Sequence, residues 1–116
     1  MIDWIRVREL RDEIGDDGFA EVVELFLDEV EEVVMRLSGT PDAGRLEQDL
    51  HFLKGSAWNL GFSAFGALCQ DGERQAAQGR AASVDLGEIL TGYATSKTRF
   101  LDGLASLTEG RTPDAA

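Results

Sequence analysis

An all-α fold is what this 116-residue chain predicts, and three features of the sequence carry that expectation. Apolar residues recur at three- and four-residue spacing almost everywhere, no stretch alternates apolar and polar as a half-buried strand would, and the two prolines both sit at segment boundaries. Short links between long amphipathic segments favour antiparallel neighbours. The expected architecture is therefore an up-down-up-down antiparallel four-helix bundle with a short additional N-terminal helix covering one end.

The first helix, about residues 3 to 14, follows from Trp4, Ile5, Val7, Leu10 and Ile14 at rough helical spacing, with Asp3 available as its N-cap and Gly15 as its stop. A second runs from about Asp17 to Leu37. Phe19, Val22, Val23, Phe26, Leu27, Val30, Val33, Val34 and Leu37 make its apolar stripe, and Glu21, Glu24, Asp28, Glu29, Glu31 and Glu32 its acidic, solvated face. In "SGTPDAG", Gly39 suits a left-handed helix end, while Thr40 as cap and Pro41 in the first turn would start a third helix that reaches Leu60 and closes at Gly61. The fourth, about Ser63 to Gln78, turns Phe65, Leu68, Cys69 and Ala76 inward; its internal Gly66 and Gly72 weaken it, so tertiary packing must hold it. The last begins near Ser83 or Asp85, where "DLGE" resembles a capping box, and continues to about Leu107. Residues 1–107 thus read as a single domain and 108–116, small and polar, as a flexible tail.

Composition removes several functions. Eleven Lys and Arg against twenty-two Asp and Glu give a formal net charge of -11, which repels a phosphate backbone, so nucleic acid is not the expected partner. One cysteine and one histidine cannot assemble a Cys/His zinc site, and Cys69 reads as a core residue of a protein in a reducing compartment. The N-terminal segment carries charges every few residues, leaving no apolar run for a signal peptide or a membrane span, and a cytoplasmic location is expected.

The chemistry concentrates in "HFLKGSAWNLG", residues 51 to 61. At about 100° per residue, Leu46, Leu50, Leu53, Ala57 and Leu60 share the core-facing arc of the third helix, and His51 lies about 140° away from its middle. Glu47, Lys54, Gly55 and Trp58 fall near His51, because residues three, four and seven positions away share a face. Gly55 costs roughly 1 kcal/mol against Ala in an exposed helix interior, which suggests another molecule that must come close to the imidazole. A lone surface histidine on a helix means little; the combination of a neutral ring nitrogen, an ammonium one turn away and open space between them is what a phosphoryl acceptor needs.

That stretch, followed by "CQDGE", resembles the signature of histidine-containing phosphotransfer (HPt) domains of multistep phosphorelays, in which one helix carries His-x-Leu-Lys-Gly-Ser and then Leu-Gly, and the next carries Cys and a Glu or Gln. The matching residues are His51, Leu53, Lys54, Gly55, Ser56, Leu60, Gly61, Cys69 and Glu73, the densest likeness covers residues 50 to 79, and Gly72 departs from the usual Leu before the acid. The resemblance implies that His51 accepts a phosphoryl group at Nε2 from the aspartyl phosphate of one receiver domain and passes it to another response regulator, with a hybrid histidine kinase upstream. It implies no kinase activity and no cofactor in this chain, magnesium belonging to the partner receiver; no phosphate-binding glycine loop for ATP is present. Under it Lys54 offsets phosphoryl charge, Gly55 gives access, and Glu73 either accepts a hydrogen bond from Nδ1 of His51 or is a solvated acid. Trp58 and Phe62, with Phe52 to the side and Glu47 nearby, either form the partner-docking surface or, for the two phenylalanines, pack against neighbouring helices. A monomer is expected, since the reactive face must stay free. The alternative from another class is a helical module that binds receivers or other helices without transferring phosphate. A haem or metal site at His51 lacks a second ligand grouping.

Overall fold

The computed structural model describes residues 2–39 and 41–108. They form α1 (Trp4–Ile14), α2 (Asp16–Ser38), α3 (Leu46–Leu60), α4 (Ser63–Ala77) and α5 (Leu86–Thr108), with a short 3-10 turn, Ala81–Ser83, between the last two. Among the described residues there is no strand, and the one β-type pairing is an isolated antiparallel bridge between Ile2 and Phe62. The fold is all-helical. The expected cap at Thr40 and residues 109–116 of the expected tail lie outside the described residues, while Thr108, the first residue of that tail, belongs to α5.

Each helix boundary has a local cause. The Asp3 side chain accepts from the Arg6 amide and caps α1, and Gly15, at φ +90°, ends α1 and opens α2 with no intervening residue. Gly61, at φ +91°, closes α3 in the left-handed conformation. Asp85 caps α5 by accepting from the Glu88 amide at 3.0 Å, which is half of the expected capping box.

Two boundaries differ from the sequence expectation. Gly39 ends α2 at φ -92°, not in the left-handed region, its amide shared between the carbonyls of Met35 and Arg36. The third helix starts at Leu46 rather than at Pro41, because Asp42 accepts from the Gly44 amide through its side chain (2.9 Å) and from the Arg45 amide through its carbonyl (2.9 Å). The Asp42 side chain thereby builds a turn of its own in competition with the helix.

Packing places α3 and α4 side by side in opposite directions, since Leu50 meets Gly72, His51 meets Glu73 and Trp58 meets Gly66. The buried face of α3 is Leu46, Leu50, Leu53, Ala57 and Leu60, the arc expected from its sequence. Gly72 is where α4 is crowded: a Cβ there would stand 2.9 Å from Leu50 Cδ1 and 3.2 Å from both Ile89 and Val84 methyls. Leu50 of α3, Ile89 of α5 and Val84 before it thus occupy the volume that a larger residue at this position would need. Across the bundle, Arg36 of α2 pairs with Asp49 of α3 at 2.8 Å, and Tyr93 of α5 donates to Glu31 of α2 at 2.7 Å beside the Lys97 ammonium.

In α1, Trp4, Val7 and Leu10 are buried while Ile5 and Ile14 remain exposed, a narrower stripe than the spacing alone suggested. Trp4 stacks on Phe100 at 6.0 Å between centroids and lies over Gly103 of α5. Asp3 donates its amide to the Gly61 carbonyl (2.7 Å), and Arg6 holds Asn59 through two hydrogen bonds of 3.0 and 2.8 Å. The amino-terminal segment is therefore fastened over the end of α3, ten residues beyond His51.

Candidate functional site

With its apolar arc inward, α3 turns His51 to solvent, and the imidazole side chain is 69% exposed. One turn on, Lys54 lies largely covered, and from α4 the carboxylate of Glu73 reaches both: Oε2 is 2.7 Å from His51 Nδ1, and Oε1 is 2.7 Å from Lys54 Nζ. Opposite directions of α3 and α4 bring residues 51 and 73 level, so two segments twenty-two residues apart meet through one carboxylate.

Burial pushes the Glu73 carboxyl up, but hydrogen bonds from Lys54 and His51, together with their charges, outweigh it and hold the group below its ordinary value of 4.5. At neutral pH Glu73 is therefore an acceptor only, which assigns the proton of the short contact to Nδ1 of His51. In the neutral ring the other nitrogen, Nε2, then carries the lone pair. Gly55 adds open space on the same face: a Cβ built there meets nothing within 4 Å.

Trp58 is 41% exposed, its ring centroid 5.9 Å from Lys54 Nζ, and Phe52 and Glu47 are also exposed. Phe62 is not. It is 2% exposed, with its ring 5.1 Å from Phe100 and 6.3 Å from Tyr93, so the expectation that it lines a docking surface is corrected. The cause is the left-handed turn at Gly61, which reverses the chain and carries the next side chain from the helix surface into the core. Cys69 is fully buried, and desolvation, with a smaller contribution from the Glu73 charge, pushes its thiol up to about 12.

Between α3 and α4, beside His51, a shallow hollow of about 230 Å³ is lined by Glu47, Lys54, Gln70, Glu73, Arg74 and Ala77. Gln70 and Arg74 were not singled out from the sequence. The signal was available, since Gln70 lies three positions from Glu73 and Arg74 four from Gln70, but it becomes usable only once Glu73 is known to face His51. Among the described residues no group of three or more His, Cys, Asp and Glu side chains gathers in a way that would hold a metal ion, and no helix is long and apolar enough to cross a membrane.

The family model of the Hpt domain matches residues 21–107, which takes in most of α2, all of α3 and α4, and α5 to its penultimate residue. No curated protein and no solved structure matched the chain. A match over this much of the sequence, on helices that bring a solvent-facing histidine to a lysine and a glutamate, has one reading: the chain belongs to the Hpt domain family, the phosphocarriers of two-component signalling.

Proposed function

We propose that this protein is a phosphorelay carrier whose acceptor is Nε2 of His51, receiving a phosphoryl group from the aspartyl phosphate of one receiver domain and delivering it to the aspartate of another response regulator. The observation that carries the reading is the 2.7 Å contact between Nδ1 and Glu73, which fixes the tautomer with the nucleophilic lone pair on the exposed nitrogen. In the forward step the Nε2 lone pair attacks phosphorus, the N–P bond forms as the P–O bond to the aspartyl carboxylate breaks, and the ring becomes cationic with its Nδ1 proton retained. The Glu73 carboxylate faces that positive charge. Lys54 offsets the phosphoryl oxygens, and Gly55 gives the receiver's phosphorylated loop a path for in-line approach. The return step reverses these bonds.

Trp58, Phe52 and Glu47 form the surface offered to the receiver, an exposed aromatic and polar rim around the reactive ring. The magnesium such a transfer requires belongs to the receiver, and a hybrid histidine kinase stands upstream. The helices α2 to α5 form the up-down-up-down bundle, with α1 over one end, acting as a cytoplasmic monomer. Incubation of the chain with a phosphorylated receiver tests the reading: acid-labile label on His51, absent in a folded His51→Gln variant, is expected. Label on another residue overturns it, and receiver binding with no label on any residue would favour a docking module that does not transfer phosphate.

A further inference from the structure

We propose that Trp58 is a positioning residue, which holds the Lys54 ammonium beside the imidazole from an indole slot cut into α4 at Gly66; the inference rests on reading His51 as the phosphoryl acceptor. Two glycines weaken α4, and Gly66 is one of them. Its backbone is ordinary helix, unlike the positive-φ glycines 15, 61 and 79, so the chain's conformation does not demand it. Its environment does. A Cβ at Gly66 would stand 2.2 Å from Trp58 Nε1 and 2.3 Å from Cδ1, distances that no side chain can share with the indole.

The missing side chain therefore lets the Nε1–Cδ1 edge of the Trp58 indole seat against α4, although the residue stays 41% exposed. Seated there, one turn along α3 from Lys54, the ring comes to 5.9 Å from Nζ, within the range of a cation–π contact. On its other side the same ammonium meets Glu73 Oε1 at 2.7 Å. Lys54 is thus confined between a carboxylate and a ring face, and its side chain is only 19% exposed, against 69% for His51. Confinement bears on transfer because a phosphoryl group on Nε2 adds a second anion that competes with Glu73 for this one cation. A free lysine would sample many rotamers; the indole removes those that lead away from the site.

The test uses the full chain labelled by phosphoramidate with no receiver present, so that docking cannot contribute. The phosphohistidine half-life is then measured across pH for wild type, Trp58→Ala, Trp58→Phe, Gly66→Ala, Lys54→Ala and the Trp58→Ala/Lys54→Ala pair. Gly66→Ala evicts the ring while raising helix propensity, so it perturbs Trp58 without weakening α4 by propensity. Trp58→Ala and Gly66→Ala are expected to change the half-life about two- to five-fold, in the same direction as Lys54→Ala, the size a cation–π contact of this exposure supports. Trp58→Phe should restore part of the change, and Trp58→Ala should add nothing once Lys54 is gone. An unchanged half-life in Trp58→Ala, or effects that simply add in the double variant, overturns the proposal. Should wild type take no label, the phosphoryl reading fails separately. The Lys54 ε-proton NMR signals then decide the positioning: split in wild type and merged in Trp58→Ala and Gly66→Ala supports it, and no difference refutes it.

Discussion

In the proposed transfer the chemistry turns on Glu73, because one carboxylate serves a ring nitrogen and an ammonium at equal distances of 2.7 Å. Replacing it by Ala removes both bonds at once. Glu73→Ala should slow phosphorylation of His51 by roughly ten-fold, equivalent to about 1.4 kcal/mol of lost stabilisation. The imidazole nitrogen-15 shifts should move towards a mixture of tautomers. A rate and a tautomer balance equal to wild type would remove Glu73 from the mechanism. Lys54→Ala leaves Glu73 bonded to His51 alone, so the tautomer should persist while transfer between two receivers slows; stopped-flow transfer with NMR of the ring separates these outcomes. From the sequence, His51, Lys54 and Gly55 were legible as a face because helical spacing along one segment is a local property. The Glu73 contact was open, since it depends on how α3 and α4 are set against each other, which no spacing within either helix records. Phe62 was misjudged for a related reason: a projection of α3 cannot be continued past the left-handed turn at Gly61.

At the scale of the element, the proposed transfer sets stability against access in α3. Its buried face is apolar apart from Asp49, which pairs with Arg36, whereas on the opposite face Gly55 leaves empty space in an exposed helix interior. Gly55→Leu should stabilise the protein by somewhat less than about 1 kcal/mol, read as a higher denaturant midpoint, and, in the same protein, slow transfer from a phosphorylated receiver several-fold. A stabilised variant with wild-type transfer would dismiss the steric role. The helices themselves were legible because amphipathic periodicity and caps at Asp3, Gly61 and Asp85 act within a few residues. The start of α3 was not, since Pro41 after Thr40 is a good helix opening in isolation and loses only to the turn that the Asp42 side chain builds. Likewise Gly66 and Gly72 read as defects of α4 in one dimension and as contact points for Trp58, Leu50 and Ile89 in three.

For the whole molecule, four titrating groups bound the pH range of stability. Glu31 is held below 4.5 by hydrogen bonds from Lys97 and then Tyr93, against an opposing push from burial, and Glu73 is also depressed, its burial outweighed by Lys54 and His51. A carboxyl with a lowered folded pKa contributes stability that is complete above its unfolded value and is lost as pH falls through the folded one. Unfolding should therefore become easier as pH drops below about 4.5, and Glu31→Gln should flatten that limb. In alkali the sign reverses. Burial raises Cys69 from 9.0 to about 12, and burial, then the hydrogen bond to Glu31 and the nearby acidic charges, raises Tyr93 above 10.0. Their stabilisation is present below the unfolded values and fades as pH climbs from about 9 towards 12. Urea midpoints across pH check both limbs, and a flat profile on either side would contradict the assignment of its groups. The Hpt match begins at residue 21 and leaves α1 outside it, yet α1 is fastened by Trp4, Asp3 and Arg6 to the ends of α5 and α3. Its helix was legible in the sequence, whereas its anchorage was not, because every fastening joins residues more than fifty positions apart.

The single thiol at Cys69 gives this chain a practical gauge of its own opening. With the group fully enclosed and its ionisation pushed up by burial, the closed form offers almost none of the reactive anion at neutral pH. An alkylating reagent therefore counts excursions in which α4 parts from its neighbours. A cysteine engineered on the surface would take a dye selectively, with the native one left in place.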